Sequence, residues 1–387
     1  MATPPDGVHD GPSIMIVAGE ASGDLHGATL AAALRAEAPH CRLFGMGGGR
    51  MASAGVELLA DVTAAAVVGH TEAIGRLPVL YRAYRRLRAA LGAAPRPAAL
   101  VLIDFPEFNF RLARVAQRAG VPVVYFIPPQ LWAWRRGRLR TMREWAALVI
   151  AVLPFELPLY RDAGIPAEYV GHPLLDRLPH APSRAEARRR LGVADDATVV
   201  GLLPGSRVQE IETLLPHMVD AVARIRAVHP HARFVLGVAP SVGRGDVERH
   251  LRSEPPVQLS TDGAPTVIRA ADVLIVASGT VTLEAALLGT PMVVCYRMSR
   301  VSSLLSRLLI RVPWFSLVNV VLGRAVVTEL FQDDATGERL AAEALDLLGA
   351  GGAAQREAFR ELAGQLGEPG VGERAARHVL TTAGIKP

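Results

Sequence analysis

An aspartate ends one of the most apolar segments of this sequence. Residues 99–103 read Ala-Leu-Val-Leu-Ile, and Asp104 follows them two positions before a proline. A carboxylate at such a position is either tied to neighbouring backbone amides or available to a ligand. In a partly dry site its pKa rises toward the range that suits a general base, so Asp104 is a candidate catalytic residue.

Glycine-containing turns precede two helical patterns in the second half of the chain. In the first, Gly205-Ser206-Arg207, the free amides of a helix start and the guanidinium fork of Arg207 suit a diphosphate. A capped helix without a ligand is the alternative, because Ser206 and Gln209 have the spacing of a capping box.

The second turn, Ser278-Gly279-Thr280, offers another set of amides. Glu284 lies one helical turn further on, where a carboxylate can bridge the two hydroxyls of a ribose. Its alternative role is to stabilise the positive end of the helix dipole. Two such turns in the same half of the chain favour a nucleotide diphosphate as the ligand.

Three other segments contain residues that can take part in binding. Glu20 and Ser22 lie in a glycine-rich turn after the first apolar run. Residues 47–52 match GxGxxA, but they follow the second run and lack a ribose-binding acid about twenty residues on. Trp132 and Trp134 either line a sugar or acyl pocket or pack between domains.

Several reaction classes lack their residues. The only lysine is Lys386, next to the last residue, so neither a P-loop nor a catalytic lysine is expected. HExxH, GxSxG and aspartate-rich magnesium motifs are missing from the sequence. Cys41 and Cys295 lie far apart, which argues against a disulfide scaffold or a zinc site and for a reducing compartment. We therefore expect no metal and no cofactor.

The positive charge of the chain is a poor guide to its partners. Lysine and arginine total 42 against 37 acids, and all but one of the cations are arginines. A genome biased toward Ala, Arg, Gly and Pro produces this composition, so we expect no nucleic-acid partner. Residues 1–12 are polar and proline-rich, without the pattern of a secretory signal.

Two basic amphipathic segments, 77–91 and 296–317, predict contact with an anionic membrane surface. Each combines four arginines with leucines and aromatic residues, as interfacial helices do. An ordinary solvated face is the alternative for each. The longest segment without charge, 119–134, contains three prolines and is too short to span a bilayer.

Short apolar runs alternate with helical patterns along most of the chain. This alternation is typical of parallel sheets with helices on both faces. Since 387 residues exceed the usual domain size of about 150, we predict an α/β fold of two doubly wound, Rossmann-like domains with a cleft between them. The predicted strands are 14–18, 42–45, 99–104, 122–127, 148–153, 199–203, 233–238, 273–277 and 291–295.

The sequence resembles the lipid-A-disaccharide synthases over nearly its whole length. The resemblance implies an inverting, metal-free glycosyltransferase of the two-domain B type in lipid A (lipopolysaccharide) biosynthesis. The implied donor is UDP-2,3-diacylglucosamine and the acceptor is 2,3-diacylglucosamine 1-phosphate, giving the β-1,6-linked lipid A disaccharide 1-phosphate and UDP. The matching segments are IMIVAGEASGDLHGATL, FGMGGGRM, VLIDFPEFN, PPQLWAWR, LPFE, YVGHPLLD, LLPGSR and ASGTVTLEAALLGTPMVVCYRM.

The same resemblance implies roles for particular residues. Asp104 matches the base for the acceptor's 6-hydroxyl, and Arg207 is the second implied catalytic residue. Two departures are Glu107, where aspartate is usual, and Val318, which replaces the proline commonly found before Asn319. The implied substrate-binding residues are Glu20, Ser22, Gly205, Ser206, Ser278, Gly279, Thr280, Glu284, Arg297 and Asn319.

The implied organisation is a disordered tail (1–12), an acceptor domain (13–175), a linker (176–190), a UDP-sugar domain (191–350) and C-terminal helices (351–387) that pack back on the first domain. The resemblance is compatible with a homodimer and implies a cytoplasmic enzyme, peripheral on the inner face of the inner membrane. Two alternatives stay open. One is a related enzyme of the same fold, an N-acetylglucosaminyltransferase or a UDP-sugar epimerase. The other is a sugar-nucleotide-binding protein without catalysis.

Overall fold

The computed structural model describes residues 11–61, 73–133, 136–251, 256–297 and 313–386. Its contacts divide the chain into two compact units. The first comprises Met1–Asp176 and Gly367–Pro387, and the second comprises Arg177–Leu366. Each contains one parallel sheet with helices, which confirms the predicted fold class. Of the C-terminal helices, only the last joins the first unit, whereas the expected organisation sent residues 351–387 there as a whole.

In the first unit, the described part of the sheet has seven parallel strands in the order β3-β2-β1-β4-β5-β6-β7. The strands are β1 (Ser13–Ala18), β2 (Arg42–Gly47), β3 (Glu57–Asp61), β4 (Ala99–Ile103), β5 (Val123–Phe126), β6 (Ala146–Ala151) and β7 (Ala167–Tyr169). The helices are α1 (Ala21–Glu37), α2 (Gly49–Ser53), α3 (Ala73–Gly92), α4 (Pro106–Arg118), α5 (Arg138–Trp145), α6 (Glu156–Asp162) and α7 (Leu174–Arg177), which ends across the boundary between the units.

The second unit has a six-stranded parallel sheet in its described part, in the order β10-β9-β8-β11-β12-β13. The strands are β8 (Val199–Leu203), β9 (Arg233–Gly237), β10 (Gln258–Ser260), β11 (Val273–Ala277), β12 (Met292–Tyr296) and β13 (Glu329–Phe331). The helices are α8 (Arg184–Arg190), α9 (Val208–Val228), α10 (Arg244–Glu248), α11 (Ala264–Ala270), α12 (Thr280–Leu287), α13 (Leu317–Leu322), α14 (Gly337–Leu348) and α15 (Gly351–Gln365), with 3₁₀ turns at Leu178–His180 and Gln332–Asp334.

In both sheets the order in which the chain adds strands reverses at one point. In the first unit the chain runs outward from β1 to β3 and then returns to the other side of β1 as β4. In the second it runs outward from β8 to β10 and returns beside β8 as β11. Ligands of open α/β sheets bind beyond the carboxyl ends of the strands at such a switch point. The loops after β1, β4, β8 and β11 therefore occupy the positions where a site is expected.

The central strands are the most reliably predicted parts of the chain. Every residue of β4, β8 and β11 is buried, because helices cover both faces of a parallel sheet. The strands that the sequence analysis missed are β3, β7, β10 and β13, and all four are edge strands in the described parts of the sheets. Three of these four are only three residues long, so they show no apolar run.

The last helix, α16 (Val371–Ala383), completes the first unit, where it packs against α1. The carboxylate of Asp176 accepts hydrogen bonds from the amides of Gly370, Val371 and Gly372, at 2.6 to 3.0 Å. Since these are the first amides of the helix, Asp176 satisfies donors that would otherwise lack partners. None of the described helices is long and apolar enough to cross a bilayer.

Candidate active site

In the first unit, Asp104 lies directly after β4, beside the switch point. Burial raises the pKa of its carboxyl group, the nearby Glu20 raises it further, and a hydrogen bond from the amide of Phe105 opposes both. Glu20 and Ser22 follow β1, the neighbour of β4, and both are exposed. The predicted acidic loop residues, Glu20 and Asp104, thus both lie at the carboxyl ends of neighbouring central strands.

The loop after β1 and the loop after β4 are in contact at Gly19. A β-carbon at that position would lie 2.2 Å from a ring carbon of Phe105, so only glycine leaves room for the ring. The ring of Phe105 also stacks on Phe108 with centroids 5.5 Å apart. The turn that carries Asp104 is therefore packed against the loop that carries Glu20.

The GxGxxA turn at 47–52 binds one of the protein's own side chains. The carboxylate of Asp24 accepts hydrogen bonds from the amides of Gly48, Arg50 and Met51, at 2.7 to 3.1 Å. These are the amides that would hold a phosphate in a dinucleotide site. Because they are already satisfied by an anion, this turn is a capped start of α2.

In the second unit, the Gly205-Ser206-Arg207 loop follows β8 and is closed by a carboxylate that the sequence analysis missed. Glu210 accepts hydrogen bonds from the amides of Ser206 at 2.8 Å and Arg207 at 3.2 Å, and it pairs with the Arg207 guanidinium at 2.8 Å. The expected pairing of Ser206 with Gln209 was wrong by one residue. Glu210 caps the helix start at Arg207, because α9 begins one residue later than expected.

The Ser278-Gly279-Thr280 loop follows β11, next to β8 in the sheet. The Ser278 hydroxyl donates to the carbonyl oxygen of Phe315 at 3.0 Å. Within the part of the chain that the structure describes, no acceptor is recorded for the amides of Gly279 and Thr280 at the start of α12. This helix start therefore has donors free to receive an anion.

Glu284 lies one turn into α12, mostly buried, with a side-chain oxygen 3.7 Å from the guanidinium of Arg177. Burial raises the pKa of this carboxyl group, and Arg177 lowers it in part. Arg177 was not among the predicted site residues. The oxygens of this carboxyl group can accept hydrogen bonds from sugar hydroxyls.

Arg297 follows β12 and is engaged inside the second unit. Its guanidinium contacts the imidazole of His217 and donates to the carbonyl oxygen of Ala335 at 3.3 Å. The pKa of His217 is lowered by burial and by this cation. The described contacts of Arg297 thus join β12 to α9 and do not include the Ser278 loop.

Asn319 is buried, and its amide group is fully used within the fold. Its Oδ1 accepts from the amides of Val326 and Val327, and its Nδ2 donates to the carbonyl oxygen of Val327 and to Glu329, all at 2.7 to 2.9 Å. Glu329 also accepts from the amides of Phe315 and Ser316. Since Phe315 accepts from Ser278, Asn319 reaches the site through this network.

A groove of about 800 Å³ lies between α3 and α4, close to the Asp104 turn. Both aromatic residues and arginines line it. Leu77 and Tyr81 of α3 are 61% and 63% exposed. The lining residues include Leu77, Leu80, Tyr81, Tyr84, Phe105, Phe108, Arg111 and Arg114.

Other sequence expectations are resolved in part. Trp132 is buried with its ring 5.1 Å from that of Phe155, so it packs within the first unit, and Trp134 lies outside the described residues. Of the second basic segment, residues 298–312 also lie outside them. Across the described ranges, no three His, Cys, Asp or Glu side chains are grouped so that they could hold a metal ion.

Comparisons with known proteins give matches over nearly the whole chain. The model of the family described as lipid-A-disaccharide synthetase matches residues 14–375. A lipid-A-disaccharide synthase of Myxococcus xanthus is 42% identical over 372 residues, covering 95% of this chain and 97% of the relative. One from Syntrophus aciditrophicus is 44% identical over 374 residues, covering 95% and 97%.

Among solved structures, the S. aureus MnaA–UDP co-structure superposes with a TM-score of 0.70 at 12% identity, covering 97% of this chain and 99% of that one. A likeness at that identity shows a shared fold only. The family match and the two relatives span nearly the whole chain, including the loops after β1, β4, β8 and β11. The chain therefore belongs to the lipid-A-disaccharide synthetase family.

Proposed function

We propose that this chain joins UDP-2,3-diacylglucosamine to 2,3-diacylglucosamine 1-phosphate. In the proposed reaction Asp104 accepts the proton of the acceptor's 6-hydroxyl as that oxygen attacks the anomeric carbon of the donor. The bond from this carbon to the diphosphate breaks, and UDP leaves with the electron pair. Attack opposite the leaving group gives a β-1,6 linkage by inversion.

The observation that carries this proposal is the placement of Asp104 at the end of a central strand. Burial and Glu20 raise the pKa of its carboxyl group, as a general base requires. A carboxylate with the ordinary aspartate pKa would be a weaker acceptor of a hydroxyl proton. Family membership supplies the substrate class, and the position after β4 matches the usual location of ligands in such sheets.

For the donor, we assign the diphosphate to the amides that begin α12 and to Arg207. The amides of Gly279 and Thr280 are unsatisfied in the described part of the chain, and the Arg207 side chain is 72% exposed. The α12 dipole favours negative charge at this end. Glu284 would accept hydrogen bonds from the ribose hydroxyls. Ser22, Ser278 and Gly205 then shape the loops around these groups.

The reaction is tested with Asp104→Asn, which keeps the size of the side chain and removes the base. We expect disaccharide formation to fall about 100- to 10,000-fold, while UDP affinity measured by calorimetry stays within about twofold of the parent. Asp162→Asn, an exposed aspartate at the end of α6, is the control and should keep the full rate. Substantial turnover by Asp104→Asn would refute the base assignment.

The substrate assignment is tested by offering acylated and non-acylated donors to the same protein. Disaccharide and UDP, detected by mass spectrometry, should appear only with the acylated donor and the acylated acceptor. Transfer from unacylated UDP-N-acetylglucosamine would identify the related transferase, and formation of its epimer would identify an epimerase. Binding of the donor without any product would leave the non-catalytic alternative.

We further propose that α3 meets the cytoplasmic surface of the inner membrane. Its exposed Leu77 and Tyr81 flank arginines that suit anionic lipid headgroups, and the groove beside them is apolar enough for acyl chains. Inserting two such side chains contributes roughly 1.5–3 kcal/mol each. A homodimer remains a hypothesis, and analytical ultracentrifugation distinguishes it from a monomer.

Vesicle sedimentation tests the membrane surface. The parent should bind phosphatidylglycerol vesicles more tightly than phosphatidylcholine vesicles, and Leu77→Ser with Tyr81→Ser should lower the partition coefficient about tenfold or more. Val228→Ser is the control, because Val228 is 61% exposed on α9 in the second unit. Equal losses in both variants would contradict a specific role for α3.

A further inference from the structure

The backbone at the candidate base has an unusual conformation. Asp104 has φ 47° and Phe105 has φ 46°, so two consecutive residues with side chains lie in the left-handed region. A β-carbon makes this region unfavourable, and glycine normally occupies it. Such strain persists where the surrounding structure holds the backbone in place, and it is concentrated at functional sites.

Two buried donors converge on the carbonyl oxygen of Asp104. The Tyr125 hydroxyl donates to it at 2.6 Å, and the Nδ2 of Asn109 donates to it at 2.7 Å. Asn109 also donates to the carbonyl oxygen of Ile103 at 3.2 Å. The side chains of Tyr125 and Asn109 are fully buried. One oxygen atom of the strained turn thus has two short hydrogen bonds inside the core.

Tyr125 is itself held rigidly. It lies in β5, the strand next to β4, and its ring packs on Phe110 and Trp145 with centroids about 6 Å apart. Burial is the largest cause that raises the pKa of its hydroxyl well above the usual value, so it stays protonated and able to donate at any physiological pH. On the opposite side, the ring of Phe105 rests against Gly19.

We propose that Tyr125 and Asn109 are positioning residues that orient the carboxylate of Asp104 by holding its carbonyl oxygen. A rotation of the peptide between Asp104 and Phe105 would relieve the left-handed φ of Phe105 and let the turn that carries the carboxylate relax, and these donors oppose it. The inference rests on the proposed role of Asp104 as the base. If it is correct, removal of one of these donors lowers the catalytic rate without lowering the affinity for substrate.

The test is Tyr125→Phe, which removes one buried hydroxyl and leaves the ring. We expect kcat to fall about tenfold, as for the loss of one buried hydrogen bond, while KM for both substrates stays within about twofold. Tyr160→Phe is the matched control. Tyr160 is also fully buried in the first unit, and its hydroxyl donates to the carbonyl oxygen of Pro129 at 3.4 Å, not to that of Asp104.

The outcomes separate this inference from the proposed function. If Tyr125→Phe keeps a parental kcat, or if KM rises in place of a fall in kcat, the positioning role is wrong. A tenfold loss in both tyrosine variants also overturns it, because a general loss of packing then explains the effect. If Asp104→Asn is active, the base assignment fails whatever the tyrosine variants do. Thermal denaturation of both tyrosine variants should show similar small losses of stability.

Discussion

The turn at Asp104 and the loop at Gly205 both lie beside the switch points of their sheets but are built from opposite kinds of residue. Each leaves a central strand beside a switch point and enters a helix. Each also needs a positive φ, which is 47° at Asp104 and 116° at Gly205. In the first unit a residue with a side chain adopts it, whereas in the second unit a glycine does.

The difference follows from which chemical group each loop presents. At position 104 the proposed base is a side chain, which glycine lacks, and contacts from Tyr125 and Asn109 support the strained backbone. At position 205 no side chain is required, and the backbone amides that follow bind the carboxylate of Glu210, so glycine can adopt the required conformation at little cost. Glycine at this position also leaves room for Glu210, because a β-carbon on residue 205 would lie 2.2 Å from a carboxylate oxygen of Glu210.

Asn319→Ala sharpens the comparison, because Asn319 is a buried side chain that supports the Ser278 loop of the second unit through Glu329 and Phe315. Asn319→Ala removes four hydrogen bonds and takes the acceptor from the amides of Val326 and Val327, while Glu329 keeps its bonds from Phe315 and Ser316. We expect a loss of about 2–4 kcal/mol in the free energy of unfolding, measured with urea. Gln365→Ala, an exposed amide in the same unit, should change it by less than about 0.5 kcal/mol.

Gly19→Ala sharpens the same comparison from the first unit. The new methyl group would overlap the ring of Phe105 and displace the Asp104 turn. We expect kcat to fall about 100-fold, as for a misplacement of about 1 Å, with UDP affinity unchanged. Gly49→Ala has no atom within 4 Å of the added carbon, so it should leave kcat at the parental value.

Gly205→Ala applies the corresponding change to the second unit. It forces a β-carbon into φ 116° and against Glu210, which costs roughly 1–2 kcal/mol for the conformation alone. Affinity for UDP, measured by calorimetry, should fall about 10- to 30-fold. Gly120→Ala has φ 71° without a clash, and it should lower stability while leaving the affinity for UDP unchanged.

Glu210→Ala tests how far this loop depends on its carboxylate cap. The amides of Ser206 and Arg207 lose their acceptor, and the free energy of unfolding should decrease by about 1–2 kcal/mol. Glu212→Ala lies on the same helix with an exposed ion pair at 3.6 Å to Arg249, so its effect should stay below about 0.5 kcal/mol. Equal effects would show that Glu210 is an ordinary surface acid.

The smallest expected effect is electrostatic. Glu20→Gln removes a negative charge that raises the pKa of Asp104, so the pKa falls. A base must be ionised to act, and the acidic limb of the kcat/KM profile should therefore move to lower pH. Glu20→Asp keeps the charge and should leave the limb in place. A limb that moves equally in both variants would mean that Glu20 acts by shape and not by charge.

The fold was predictable from the sequence wherever a strand is buried on both faces. The apolar runs of β1, β4, β8 and β11 were recognised nearly to their ends, because helices on either side demand continuous hydrophobicity. The edge strands β7, β10 and β13 were not recognised, because three residues form a strand only when a neighbouring strand supplies hydrogen bonds. The positions of the loops were predicted from residue spacing, and the substrates were inferred from the family resemblance.

The partners of individual side chains were less predictable. Asn319 matches a family motif, yet its amide is consumed by backbone groups several residues along the chain. The capping of α9 by Glu210 differs by one residue from the expected pair, because the helix begins after Arg207. Such contacts depend on where the backbone turns, and a turn is decided by its neighbours in space.

Local sequence was enough to establish the alternation of strands and helices, the class of the fold, the loops that carry Asp104 and Arg207, and the helix that carries Glu284. These follow from local hydrophobicity and from residue types that appear in the chain itself. The tertiary structure alone decided that Asp104 is left-handed, that Tyr125 holds its carbonyl oxygen, and that Asp24 closes the GxGxxA turn. The reason is physical: a strained backbone and a buried carboxylate are stable only when distant residues provide hydrogen bonds to them.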